Sequence, residues 1–322
     1  MPKIRILGAT LWLLPAFAFA IDDGAGTGGA AFMKMGLGST RAMGMGRALV
    51  ALAEGTDALT WNPAGLALAQ TREMNYSYLR YVQEVEAPLY MAYAHPLGRT
   101  VLGANLAYLS VDGFDVRDSQ GRVLDNSNVF VRDGFATMSA ARSFYYEKIF
   151  LGLGLKGVYE DNAGSHRQSL VADFGLMVKP TQGTSLGLAF QNLGGSQSRV
   201  AKITRLGGAV RLFELLNLSL ELSRPSDSGW QAGIGGEFTL PEEYLSVGQV
   251  TLRTGYFTTG NQGSILKADR SALYPLIGAQ GISFGIGLFT SQAFGYGLGV
   301  DYALVPMGAL GTADHLSVRL KF

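Results

Sequence analysis

The chain has no cysteine anywhere in its 322 residues. That absence excludes disulfide frameworks, thiolate metal sites and cysteine nucleophiles. Charge is also scarce: Asp, Glu, Lys and Arg make up 16% of the residues, where a soluble domain carries about a quarter. With 26 basic residues against 25 acidic ones, no excess of either sign exists to hold nucleic acid or another polyion. Histidine occurs only as His95, His166 and His315, far apart and without ligand spacing, so nothing supports a metal site. Beyond residue 20 no apolar run approaches the ~18 residues of a spanning helix, yet hydrophobic residues form 48% of the chain. The apolar surface must be distributed in another pattern.

The first twenty residues have the three-part layout of an export signal. Lys3 and Arg5 precede an apolar stretch from Ile6 to Phe19, and Ala18 and Ala20 supply the small residues that flank a cut after Ala20. The stretch is short for a membrane anchor, which needs ~20 residues. Residues 1–20 are therefore expected to be a cleaved signal peptide, and their loss takes the net charge to about −1.

From about Arg72 onward the chain alternates with period two. Leu316, Val318, Leu320 and Phe322 face one way, and Ser317, Arg319 and Lys321 the other. Leu216 to Ser223, Ile282 to Phe289 and Phe294 to Ala303 repeat the pattern. In a soluble sandwich the outer face is stocked with Lys, Glu and Thr. Here the second face is rich in Gly, Ala and Ser with isolated charges, which suits the inside of a closed barrel whose greasy side faces lipid. About 250 residues remain after residue 71; at roughly 10 per tilted strand and about 8 per connection they make about 14 strands. The expected centres are Ser77, Met91, Leu106, Met138, Leu153, Phe174, Leu188, Gly208, Leu218, Ile234, Leu252, Ile286, Leu298 and Val318. The least strand-like connections, Phe114 to Asn128 and Thr259 to Leu276, are the expected outer loops. Tyrosines near strand ends, such as Tyr76, Tyr78, Tyr145, Tyr146 and Tyr296, suit interfacial girdles.

Two enzyme-like patterns fail on context. Gly281-Ile282-Ser283-Phe284-Gly285 matches a nucleophile elbow but sits in mid-strand alternation, and Gly152 to Gly157 matches a dinucleotide loop without a following helix. No catalytic residue, metal or cofactor is expected. Asp173, Arg205, Arg211, Glu237, Arg253, Asp301, Arg319 and Lys321 fall on the small or polar faces of their strands. They either orient a molecule in the lumen or pair across a narrow barrel and fill it, and the second is the simpler account.

The segment from Ile21 to Gln70 is different. Met33, Met35, Met43 and Met45 give it a cluster of adaptable apolar side chains, candidates for contact with an apolar ligand. Arg41 to Ala53 reads as a short helix in which Gly44 and Gly46 permit close approach to another backbone. Asn62-Pro63 is a turn signal, because Pro lacks an N–H and holds the preceding residue extended. Lipid does not tolerate unsatisfied backbone, so these residues belong inside the barrel or on its periplasmic side.

Gly38 to Ala67, GSTRAMGMGRALVALAEGTDALTWNPAGLA, resembles the N-terminal segment of the FadL-like outer-membrane proteins, and most of all of their PorV/PorQ branch. The closing DYALVPMGALGTADHLSVRLKF resembles the last hairpin of that branch, ending in an aromatic, Phe322, suited to the outer-membrane assembly machinery. The resemblance implies an all-β transmembrane barrel of about 14 strands, residues 72–322, with a partly helical hatch in its lumen, residues 21–71, carrying the motif Asn62, Pro63 and Ala64. It places the protein in the outer membrane of a Gram-negative type bacterium, in contact with its lipid. The chain is shorter than the fatty-acid transporters and has no room for their large outer loops, which leaves the substrate open. Two functions follow from the resemblance. One is passage or binding of a hydrophobic or amphipathic small molecule; the other is a non-transport role in type IX secretion, binding a secreted cargo protein.

Overall fold

The structure, a computed structural model, describes residues 31–80, 89–112, 117–122, 129–194, 199–245, 248–258, 281–293, 295–306 and 312–322. Fourteen strands form the wall: β1 (Glu73–Arg80), β2 (Leu89–Leu97), β3 (Thr100–Val111), β4 (Val131–Phe144), β5 (Ile149–Asn162), β6 (Ser165–Thr181) and β7 (Thr184–Leu193), then β8 (Ile203–Leu212), β9 (Leu216–Pro225), β10 (Gln231–Leu240), β11 (Gln249–Phe257), β12 (Ile282–Ala293), β13 (Tyr296–Pro306) and β14 (Thr312–Lys321). Each expected centre falls inside its strand. All pairings are antiparallel between sequence neighbours, and β14 closes the barrel on β1, from Glu73 against Lys321 to Arg80 against Asp314.

Closure satisfies every strand edge, which a wall immersed in hydrocarbon requires. The two faces separate as alternation predicts. Along β3, Val101, Gly103, Asn105, Ala107 and Leu109 point inward, while Leu102, Leu106 and Tyr108 are exposed. Large apolar side chains are exposed on the outside of every strand, among them Leu153 at 64% and Leu252 at 51%. A water-soluble monomer does not present so continuous an apolar surface.

The wall has two unlike ends. Glu73, where β1 begins, and Lys321, where β14 ends, mark one end, and the turns there are mostly tight, such as Gly98-Arg99 between β2 and β3. Most connections at the opposite end are longer. The expected outer loops, Phe114 to Asn128 and Thr259 to Leu276, belong to that end, but apart from 117–122 they lie outside the described residues, as do the expected signal peptide and residues 21–30.

The segment before β1 fills the bore. It consists of a 3-10 turn (Ala31–Met35), α1 (Thr40–Gly44), a 3-10 turn (Gly55–Asp57), α2 (Ala58–Trp61) and a 3-10 turn (Pro63–Leu68). The helix expected over Arg41 to Ala53 is thus much shorter. It stops at Gly44 because Gly46 and Arg47 adopt left-handed φ angles of 59° and 61°, which end an α-helix. Beyond that point the chain follows the curved inner wall, a path that a straight helix some 10–12 Å across could not take.

Candidate functional site

The path of this hatch is set by glycines on the wall. From Gly44 to Ala51 its backbone crosses the inner faces of consecutive strands and meets glycine on most of them. Cβ atoms placed on the wall would lie 3.2 Å from Gly44 Cα at Gly285 (β12), 2.1 Å from Gly46 N at Gly255 (β11), 2.4 Å from Met45 O at Gly235 (β10) and 2.2 Å from Val50 O at Gly187 (β7). On β9 the seat is Ser219, whose hydroxyl donates to Ala48 O at 2.7 Å. The chain then turns back, and Pro63 and Ala64 sit on Gly152 (β5) and Gly175 (β6), where added Cβ atoms would lie 2.2 Å from Pro63 C and from Asn62 Oδ1. Backbone thus packs on backbone around much of the girth. The inward Gly that alternation exposed in the sequence serves this purpose, and the nucleotide-like Gly152 to Gly157 run lies within β5.

Asn62-Pro63-Ala64 is the hinge of the return. Asn62 is extended, at φ −152° and ψ 103°, and its Oδ1 caps the following turn by accepting Ala64 N–H at 3.2 Å. Its amide Nδ2 donates to Val50 O at 2.8 Å and to Leu176 O on β6 at 3.3 Å. One side chain therefore joins both arms of the hatch and the wall. Pro63 stands at the first position of its turn, where no N–H is needed, and Ala64 is fully buried beside Phe150 and Met177.

Wall carboxylates hold the hatch by its polar groups. Glu221 on β9 accepts the backbone N–H of Leu49 and Val50 at 2.9 and 2.8 Å. Glu237 on β10 takes Arg41 in a two-pronged bond, both contacts 2.7 Å, while the third nitrogen of Arg41 donates to Glu54 of the hatch. Glu73 accepts Thr56 N–H at 2.9 Å, and Arg319 on β14 donates to Asp57 at 2.8 Å. Burial works against the charge of Arg41, but Glu237 and Glu54 outweigh it and hold the guanidinium well above its ordinary value.

The expected lumen charges all point inward and most are paired. Arg205 meets Glu221, Arg253 bridges Glu237 and Asp301 at 2.8 and 2.5 Å, Arg319 lies 3.6 Å from Glu73, and Asp173 meets Lys156 at 2.8 Å. Their partners Arg41, Asp57, Glu73, Lys156 and Glu221 carry no pairing signal in the sequence. Inward parity marks the wall members, but nothing local marks the hatch residues, whose partners lie up to 262 positions away.

The hatch divides the lumen. Toward the long-connection end it leaves a cavity of about 70 Å³ lined by Met33, Leu37, Trp61, Phe135, Lys156 and Arg205, among others. Toward the end marked by Glu73 and Lys321 lies a larger polar cavity of about 390 Å³, where Glu237, Arg253, Asp301 and Arg319 meet Arg41 and Arg211. Of the four methionines only Met33 lines either of these cavities; Met43 and Met45 are buried in the hatch core and Met35 packs against it. His95 and His166 contact Tyr93 and Asp161 on the wall, and His315 is buried in β14.

No protein-family model and no curated protein matches the chain. Solved structures do match it in fold. A FadL homologue from Pseudomonas aeruginosa superposes with a TM-score of 0.56 at 12% identity, covering 88% of this chain and 98% of that one. The toluene transporter TodX of Pseudomonas putida gives 0.57 at 13% identity over 88% and 96% of the two chains. For the toluene transporter TbuX of Ralstonia pickettii the values are 0.57, 13%, 87% and 96%. The chain therefore has the fold of these FadL-type transporters: a closed antiparallel barrel of 14 strands with a short helical segment before its first strand.

Proposed function

We propose that the protein is an outer-membrane barrel through which small hydrophobic or amphipathic molecules pass, with the hatch as its gate. The observation that carries this reading is a bore closed by a separate segment, held by hydrogen bonds and ion pairs to wall carboxylates, with a cavity on either side. The apolar outer wall and the likeness in fold to the toluene transporters support it. Size adds a condition. The upper cavity, about 70 Å³, is well below the ~150 Å³ that accommodates benzene, so a guest larger than a few atoms needs the hatch to shift.

A second reading, an interaction protein whose barrel passes nothing, is favoured by the backbone-on-glycine seating, which leaves the hatch no slack. The PorV/PorQ resemblance would make its partner a secreted cargo protein of type IX secretion.

The cysteine-free chain allows a direct test. Ser219 on the wall faces Ala48 of the hatch, its hydroxyl 2.7 Å from Ala48 O, and both already carry a Cβ, so Ala48→Cys with Ser219→Cys places two thiols on facing residues without filling a glycine seat. Transport through a moving hatch predicts uptake of a hydrophobic dye that stops on oxidation and returns on reduction. Uptake unaffected by the crosslink would sink the gate. No uptake above a barrel-free control, in wild-type protein with normal assembly, would favour the interaction reading.

A further inference from the structure

The register of β3 to β6 stacks outward side chains in rungs. The rung nearest the long connections is Ser110, Arg132, Asp161 and His166; the next is Tyr108, Gly134, Tyr159 and Gln168; the third is Leu106, Ala136, Gly157 and Leu170. Gly134, Ala136 and Gly157 leave a groove of about 890 Å³ between the larger side chains. It does not breach the wall, because Ala107, Phe135 and Val158 are buried on the inner side and the pairings run without a bulge.

No neighbouring atom requires glycine at 157. A Cβ there would meet nothing within 4 Å, whereas at Gly152, five residues earlier on the same strand, it would lie 2.2 Å from Pro63 of the hatch. Glycine within a strand weakens it and marks a place where a ligand or another backbone comes close. Outward glycines also occur at Gly208 and Gly236, but singly, among exposed Leu206, Leu220 and Ile234, whereas Gly134, Ala136 and Gly157 adjoin across two strands.

The groove also has a polar head. Arg132 is exposed, stacks 4.4 Å over Phe130, and has no carboxylate partner among the described residues. Its cross-strand neighbour Asp161 is instead occupied by His166 at 3.1 Å and by Gly164 N–H at 3.0 Å. A guanidinium without a direct ion pair thus lies one rung, about 7 Å, above a rung of two tyrosines, with apolar groove below. That order of charge, interfacial aromatic and apolar channel complements an anionic head on an acyl chain.

We propose that this groove is a specific site for one acyl chain of a phosphate-bearing, anionic membrane lipid, with Arg132 holding the phosphate. The proposal rests on the reading of the wall as membrane-spanning. That reading is checked first, by heat-modifiable gel mobility and dependence on detergent, and its failure is visible before any lipid is added. Native mass spectrometry of the full-length protein in detergent then reads retention of added phosphatidylglycerol, phosphatidylcholine or diacylglycerol. Wild type should retain one phosphatidylglycerol about tenfold better than diacylglycerol, the scale of one charge-assisted contact. Gly157→Leu should abolish that retention, and Arg132→Gln should lower phosphatidylglycerol to the level of diacylglycerol. Gly236→Leu, on the outer face of β10, should change nothing. Gly157→Val repeats the test with less bulk if the leucine variant loses heat-modifiable mobility. Equal retention by wild type and both groove-filling variants would overturn the site, as would a phosphatidylglycerol preference that survives loss of Arg132. A dimer that Gly157→Leu dissociates would overturn the lipid in favour of a second copy of the chain.

Discussion

The carboxylate of Glu221, on the inner face of β9, accepts the indole N–H of Trp61 at 2.9 Å. The same oxygen receives the amides of Leu49 and Val50, and the other receives Arg205, whose guanidinium lies 4.4 Å over the Trp61 ring. One wall residue thus binds both arms of the hatch: the segment laid along the glycines and the helix leading into Asn62. Water is excluded, since Glu221 is 2% exposed and Trp61 3%.

Glu221→Ala should accordingly release the hatch. It removes the acceptor from three buried N–H groups and leaves Arg205 without its ion pair, a loss of about 3–5 kcal/mol for a broken buried pair. Glu221→Gln keeps an acceptor oxygen and should cost less. Limited proteolysis between residues 31 and 72 would show it, with cleavage faster in the alanine variant while heat-modifiable mobility of the barrel persists. An uncleaved hatch in that variant would mean that the glycine seating alone suffices.

Alanine at Gly187 should also displace the hatch, by crowding. Its Cβ would lie 2.2 Å from Val50 O, a contact with backbone that no rotamer can relieve, so about 1–3 kcal/mol is expected. At Gly236, on the outer face, the nearest atom to an added Cβ is 3.7 Å away, and alanine there should be neutral or slightly stabilising. Urea midpoints of the two variants in the same detergent make the comparison.

The wall was legible because its signal is local and repeated: alternation of one apolar and one small face over many segments fixes both strand positions and their orientation. Closure and the inward direction of Asp173 or Arg319 follow from that parity. The hatch was only partly legible. The turn at Asn62-Pro63 is written in the backbone chemistry of proline, but the length of α1 is decided by Gly46 pressed on Gly233 and Gly255, residues far away in sequence. For the same reason the helix pattern of Arg41 to Ala53 misled, since tertiary seating overrides a weak local propensity. The pairing of Arg41 with Glu237, 196 positions apart, leaves no trace at either position.

Asp57 provides a pH-dependent test. Burial pushes its carboxyl above the ordinary 3.8, with Arg319 and Arg41 opposing this without cancelling it. The folded protein therefore binds this proton more tightly than the unfolded chain does. The sign follows: the contribution of Asp57 is fully present below its ordinary value and is lost as pH rises through the raised one. Its Oδ1 is buried without a hydrogen-bond partner, while Oδ2 accepts from Arg319. Asp57→Asn should keep that accepting oxygen, leave Arg319 with Glu73, and remove the dependence. Denaturation midpoints measured upward from pH 4 should fall less steeply in the variant; parallel curves would show that Asp57 does not titrate in this range.

The turn between β8 and β9 should gain from glycine. Phe213 and Glu214 hold consecutive left-handed φ angles of 52° and 59°, and Leu215 N–H closes the turn on Leu212 O at 3.2 Å. A residue with a Cβ loses about 1–2 kcal/mol there, while glycine brings an entropic loss of roughly 0.5–1 kcal/mol from the freer unfolded chain. Glu214→Gly should therefore stabilise by up to about 1 kcal/mol and leave exposed Phe213 in place. The same substitution at Thr204, on the outer face of β8 where φ is ordinary, should destabilise by a similar amount. Opposite shifts of the two urea midpoints are the expected result. Matching losses would mean that the Glu214 side chain, which lines the lower cavity, makes a contact that outweighs the strain of its backbone.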